Sequence, residues 1–345
     1  MSMTTAAGSL TRDFVLPQLT TTEGRRLTGL RLRYHLSGDV DAAAENGWIL
    51  VFHALTGSSE VDTWWGPLVG PGKALDTTRH AIVTANLLGG CYGSTGPTEW
   101  RAERHESFPE LTPADLARAH IPLLEHLGVR RIALATGGSL GGMVALHWGR
   151  VASVPTDRLV VFAAPAAASP QAISWNAVQR MSIEADPAWA EGNYPPGEGP
   201  AAGLAAARAV AMITYRSGAE FQARFGRLSS RSAGLFDVEH YLRRQGEKLV
   251  ARFDAASYVA LMRAMDLHDV GDFTTAARDT RRRVGLVTGV GIDSDILYPA
   301  SEVRDWVAGY RAGGANVEYR EIASLYGHDA FLIEWDQVEG ILRGD

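Results

Sequence analysis

A lone serine stands among four glycines in ATGGSLGGMVALHWG, Ala135 to Gly149. Glycine carries the largest backbone entropy cost of any residue, so such a cluster needs a local reason. Gly137-Gly138-Ser139-Leu140-Gly141 fits G-x-S-x-G, with the strand-like RIALAT before it and the helix-like GMVALHWGRVA after it. In that setting the serine occupies a sharp strand-to-helix turn with its hydroxyl clear of the backbone, a nucleophile's position. Phosphate-cradling loops fit less well. Ser139 takes the place of the second glycine in G-x-G-x-x-G, and Gly142 and Met143 stand where a P-loop has Lys and Ser/Thr.

A serine hydroxyl is a weak nucleophile until a base removes its proton, and the base needs an orienting carboxylate. On this kind of turn the acid and then the histidine follow the serine in the chain. GVGIDSDILYP supplies Asp293 and Asp295, and SLYGHDAFL supplies His328. Each group directly follows a strand-like run, at the carboxyl end where parallel sheets gather their sites. Of the two aspartates, Asp295 lies nearer the end of its loop and is preferred as orienter. Asp293 reads as a solvated or loop-bracing carboxylate. The tetrahedral intermediate needs two backbone donors, and the N–H groups of Leu140 and of Leu55, in HALTGSS, are the expected pair.

These residues require a sheet to carry them. Short Val-, Ile-, Leu- and Ala-rich runs predict strands at Trp48–Phe52, His80–Asn86, Arg131–Thr136, Arg158–Ala163, Val284–Thr288 and Val317–Ile322. Helical spacing predicts Thr112–Leu127, capped by Thr112 and stopped by Gly128, and Ser301–Ala312 ahead of Gly313. Alternating strands and helices imply an α/β protein with a mostly parallel sheet covered on both faces. The alternation stops between about residues 166 and 270, where alanine, arginine and aromatic residues dominate and no strand is expected. The expected organisation is therefore a core made of 1–165 and 271–345, with a helical cap inserted at 166–270.

Composition narrows the functional classes. With 345 residues, 46% hydrophobic and 21% charged, the chain has the balance of a globular protein. A net charge of −6 offers no general basic field for a phosphate backbone, so nucleic acid is not an expected partner. The most apolar run, LVVFAAPAAA, is broken by Pro165 and is shorter than the roughly 20 residues of a membrane helix. The N-terminal residues lack the pattern of a secretory signal. The single cysteine, Cys91, rules out an intrachain disulfide and any thiolate cluster, and no H-E-x-x-H occurs, so no metal site is expected. Together these features lead to the expectation of a cytoplasmic protein. Cys91 itself reads as a packed small residue.

Six segments carry a more specific likeness: VFHALTGSSEV, WWGPLVGPGKALDTTRHAIVTANLLGGCYGSTGP, GGSLGGMVALHW, MITYRSGAEFQARFGR, DSDILYP and YGHDAFL. Together they resemble the homoserine O-acetyltransferase family of the α/β-hydrolase superfamily, from about Val51 to Leu332. The resemblance implies an α/β-hydrolase fold and a double displacement that moves an acyl group from acyl-coenzyme A to the hydroxyl of homoserine, on the way to methionine. It implies Ser139 as the acylated residue, His328 as base and then acid, and Asp295 as orienter, since Asp295 matches the family aspartate of SD-x-LYP.

It further implies that Arg208, Tyr215 and Asp329 hold the amino acid. A guanidinium fork suits the carboxylate of homoserine and a carboxylate suits its ammonium. Acetyl-coenzyme A enters as donor substrate and not as a bound cofactor, and a homodimer through the cap is implied. TEWRAERHESFPELT departs from the family pattern after STGP, which bears on the pocket. The alternatives on this scaffold are homoserine O-succinyltransferase, serine O-acyltransferase, and an esterase in which water takes the acyl group.

Overall fold

The computed structural model describes residues 9–230 and 234–345. Its frame is an eight-stranded sheet: β1 (Leu10–Leu16), β2 (Leu30–Gly38), β3 (Trp48–Phe52), β4 (Ala81–Ala85), β5 (Ile132–Gly138), β6 (Thr156–Phe162), β7 (Val284–Ile292) and β8 (Val317–Ile322). Their spatial order is β1-β2-β4-β3-β5-β6-β7-β8. Only β2 runs against its neighbours; every pairing from β4 to β8 is parallel. The interior strands read WILVF and AIVTA and are buried at every position, as expected of parallel strands with both faces covered.

All six predicted strands are present, with ends shifted by a few residues; β7 continues four residues beyond Thr288 to Ile292. The two N-terminal strands were not predicted. LRLRYHLSG in β2 nevertheless alternates along its length, burying Leu30, Leu32, Tyr34 and Leu36, the period of a strand with one face inward. The predicted helices also form. The helix α1 (Pro113–His126) begins with a capping box between Thr112 and Asp115, and Gly128 follows it at φ +70°. The helix α2 (Leu140–Val151) is buried from Leu140 through Gly149, as a helix apolar all round must be.

Between residues 166 and 270 the chain forms α3 (Pro170–Glu184), α4 (Ala201–Tyr215), α5 (Gly218–Phe225), α6 (Asp237–Val250) and α7 (Ala255–Asp266), and a further helix at Phe273–Thr280 leads into β7. The expectation of no strand here is corrected by a two-residue antiparallel pair, Ser229–Ser230 with Leu235–Phe236. It is too short for a periodic signal to exist in the sequence. The two legs of the segment meet at its base, where Ala168 N–H donates to His268 O at 2.9 Å and Val270 N–H to Ala166 O at 2.8 Å. Among the described residues no helix is long and apolar enough to cross a membrane.

Candidate active site

The glycines around Ser139 are explained by what surrounds them. A Cβ at Gly137 would come within 2.8 Å of Phe52 O, and one at Gly141 within 2.1 Å of the same atom. Strand β3 thus passes against the turn, and a side chain at either position would force them apart. Ser139 itself has φ 58° and ψ −125°, a region costly for any residue with a Cβ, by about 1–3 kcal/mol. It is tied down by its N–H, which donates to Phe162 O at 3.0 Å. Its side chain does not cap the helix, so the hydroxyl is not spent on helix stability. Ser139 is only 5% exposed.

Successive strand ends continue the same edge. Ala163 N–H donates to Val290 O, and Asp293 N–H to Ile322 O. The loop after β7 turns at Asp295, whose Oδ1 accepts from the N–H groups of Leu297 and Tyr298 at 2.8 and 3.0 Å. Its Oδ2 accepts from His328 Nδ1 at 2.7 Å, both residues being buried. Asp293 instead accepts from Ser324 N–H at 3.0 Å and braces one loop against the other. The structure therefore separates the two aspartates by partner: Asp295 holds the imidazole as well as its own turn, and Asp293 holds the backbone of the neighbouring loop.

The imidazole lies among three aromatic rings, Tyr298, Tyr215 and Phe331, with centroids at 5.2, 5.6 and 5.7 Å. The ring of Phe331 also presses on the glycine next to Ser139, since a Cβ at Gly138 would come within 2.4 Å of it. His328 Nε2 is buried without a hydrogen-bond partner. With Nδ1 bonded to Asp295, a neutral ring keeps its lone pair on Nε2. Burial pulls the histidine toward neutrality, but the charge and hydrogen bond of Asp295, with Asp329 beside it, carry it above the ordinary value of 6.5. The arrangement leaves Nε2 free to accept a proton.

The segment above the sheet supplies the other predicted residues. Helix α4 carries half-buried Arg208 and, two turns on, Tyr215; the Arg208 guanidinium lies 5.4 Å from the centre of the Tyr215 ring. Gly327, φ +65°, allows the end of that helix to approach the histidine loop, because a Cβ there would meet Ser217 N at 2.8 Å and Tyr215 O at 2.9 Å. Asp329 is 16% exposed and pairs with Arg216 at 3.2 Å. Burial raises its carboxyl above the usual range, against the pull of Arg216, His328 and Arg208. Asp295, His328, Tyr215, Arg208 and Asp329 are thus joined by successive contacts, and Ser139 adjoins them through Phe331, whose ring packs against both Gly138 and His328. Leu140 opens α2 directly after Ser139, and Leu55 follows β3.

Arg216 was missed by the sequence reading, although it adjoins Tyr215 in TYRS. Residue type alone could not pair it with a carboxylate after another strand. Cys91 is a half-buried thiol raised to about 11, with burial the main cause. Such a thiol is unreactive near neutral pH. Among the described residues no three His, Cys, Asp or Glu side chains are grouped to hold a metal ion.

A family model for the α/β-hydrolase fold matches residues 47–257. A homoserine O-acetyltransferase of Moorella thermoacetica is 42% identical, covering 93% of this chain and 91% of that one. Another, of Thermus thermophilus, is 43% identical over 92% and 86%. The chain belongs to the homoserine O-acetyltransferase family. Solved structures agree at the level of the fold. The homoserine O-acetyltransferase of Bacillus anthracis superposes with a TM-score of 0.86 at 22% identity, over 97% of both chains. Esterase E22 reaches the same TM-score at 20% identity, over 98% of this chain and 99% of that one. Since the scaffold serves an esterase as well, the homoserine O-acetyltransferase fold does not by itself choose the acyl acceptor.

Proposed function

We propose that this protein transfers an acetyl group from acetyl-coenzyme A to the hydroxyl of L-homoserine by a ping-pong mechanism. The observation that carries the reading is the buried His328–Asp295 pair, with an unpartnered Nε2, on the strand edge that also holds the strained Ser139. Relatives bearing the homoserine O-acetyltransferase name at 42–43% identity support the same choice of donor and acceptor.

His328 Nε2 takes the proton of Ser139 as its Oγ attacks the thioester carbonyl. The negative oxygen is received by the N–H groups of Leu55 and Leu140; the latter opens a helix, where amides have no intrahelical acceptor. Collapse of the intermediate breaks the C–S bond, and the thiolate leaves with the proton held by His328. In the second half, His328 takes the hydroxyl proton of homoserine, whose oxygen attacks the acyl-serine, and then returns that proton to Ser139. Arg208 and Tyr215 receive the amino-acid carboxylate and Asp329 the ammonium. Three favourable features converge here, since Asp295 orients the ring, the aromatic cage excludes water and the serine is almost closed off from solvent. That shelter supports transfer over hydrolysis. A cytoplasmic homodimer joined through the 166–270 segment completes the reading, and sedimentation of the purified protein tests the dimer.

Intact-protein mass spectrometry after mixing with acetyl- or succinyl-coenzyme A, followed by a chase with homoserine, serine or buffer, tests the reaction. An acetyl adduct on Ser139 discharged fastest by homoserine is expected. A succinyl adduct in its place would change the donor, faster discharge by serine would change the acceptor, and an adduct lost equally fast in buffer would make the protein a hydrolase.

A further inference from the structure

The peptide whose N–H is assigned to the oxyanion, Ala54–Leu55, is held at its other end. Ala54 O accepts from His53 Nδ1 at 2.8 Å and from Gly57 N–H at 2.9 Å. On its far side the same imidazole accepts from Leu87 N–H at Nε2, 2.9 Å away. A backbone amide can only donate, so Nε2 bears the lone pair and Nδ1 the proton. His53 is therefore a neutral ring in one tautomer, clamped between the exits of β3 and β4. Burial, which lowers its pKa to about 4, keeps it so.

No cis peptide bond occurs among the described residues, and in a trans peptide the C=O and N–H point in opposite directions. Drawing Ala54 O into the turn with Gly57 therefore turns Leu55 N–H out of it. A flipped peptide would present a carbonyl oxygen in place of the donor and repel the developing negative charge. The rest of the loop has its own anchor, because Asn86 Oδ1 accepts from Ser59 N–H at 2.7 Å and Asn86 Nδ2 donates to Tyr92 O at 2.7 Å. Holding the loop in place and holding this one peptide in orientation are thus assigned to different side chains.

We propose that His53 is a positioning residue of the oxyanion hole: its Nδ1–H bond to Ala54 O, with the tautomer set by Leu87 N–H, fixes the orientation in which Leu55 N–H serves the intermediate at Ser139. The proposal rests on Ser139 being the nucleophile and extends that reading to a residue that touches neither substrate.

Two substitutions separate its two bonds. In His53→Asn the amide nitrogen reaches the place of Nδ1 and keeps the bond to Ala54 O. In His53→Gln the amide oxygen reaches the place of Nε2 and keeps only the bond to Leu87. Hydrolysis of p-nitrophenyl acetate is measured for both, with melting temperature and a Ser139→Ala control; this ester requires neither coenzyme A nor homoserine. His53→Gln is expected to lose about 10²-fold in kcat with KM within about twofold. His53→Asn is expected to stay within about tenfold of the parent, even where the two melt at similar temperatures. Equal losses in the two variants, a loss that follows melting temperature, or one carried by KM would overturn the role of His53. Esterolysis that survives Ser139→Ala would instead bring down the nucleophile reading on which it rests.

Discussion

The sheet edge and the helical segment above it build their parts of the site by different means. Ser139, Asp295 and His328 stand on loops whose origins are fixed by strand register, and neighbouring strand ends are linked by successive backbone hydrogen bonds. Arg208, Tyr215 and Arg216 stand on one helix and its end, which meet that edge at Gly327 and Asp329. In the proposed mechanism the bond-making groups thus stand on loops that spring from paired strands, and the recognition groups reach them from a helix. On that reading, chemistry that tolerates little displacement is placed on the strand-anchored part, and substrate selection on the segment inserted above it.

The largest effect expected from breaking this contrast lies on the sheet edge. Ser139→Ala should abolish the acyl-enzyme and reduce turnover by about 10⁵-fold or more, with the fold unchanged. Asp295→Asn should cost on the order of 10³–10⁴-fold, since it removes the charge that orients His328. Retention of substantial turnover in Ser139→Ala, read by product formation and intact mass, would sink the division of labour at its root.

Arg208→Ala should act on one half-reaction only. The KM for homoserine should rise by about 10²-fold, the loss of one charged hydrogen-bonding partner, while single-turnover acylation by the donor is unchanged. Slowed acylation without acceptor present would place Arg208 in the chemistry of the first step and blur the contrast.

Asp329 sits on the boundary, following His328 but held by Arg216. Its charge is one of the influences that raise His328. Asp329→Asn should therefore lower the pKa of His328 and move the acidic limb of the acylation rate to lower pH, by less than one pH unit, while weakening binding of homoserine. An unmoved limb would show that Asp329 serves recognition alone.

Stability gives a smaller and broader test. His53, His120 and His268 are held at about 4, chiefly by burial. Between that value and the ordinary 6.5 the unfolded chain binds more protons than the folded one, so stability rises with pH across this window. The contribution is complete above about 6.5 and lost as pH falls toward 4, at most on the order of 3 kcal/mol for each ring. His328 has the opposite sign: its raised folded value stabilises the fold below 6.5, and this is lost as pH rises through that value. Urea unfolding from pH 4 to 8 should show a steep acid decline, and a flat profile over pH 4 to 6.5 would contradict the burial argument.

What could be read from the sequence follows the same line between edge and cap. Interior strands such as WILVF announce themselves as continuous apolar runs, and the serine turn is short enough to sit in one motif. Strand β2 also carried a signal, the alternation of LRLRYHLSG, which a search for apolar runs passes over. The positions of Arg208, Tyr215 and Asp329 came from resemblance, since an arginine in an alanine-rich helix has no distinctive local pattern. The Arg216–Asp329 pair and the bond from Leu87 N–H to His53 join residues or backbone atoms from separate elements. Residue spacing carries no information about such pairings until the sheet has brought the elements together.

The close meeting of chain at Ala166–Ala168 and His268–Val270 also bears on how such proteins diversify. Because the intervening hundred or so residues leave and rejoin the core at almost one point, ahead of a helix at Phe273–Thr280 that leads into β7, their length and sequence can change while the demand on the core remains the same short separation of two ends. An exchange made between those ends would carry a new selectivity onto an unaltered reaction edge, as a tool is changed in a fixed holder.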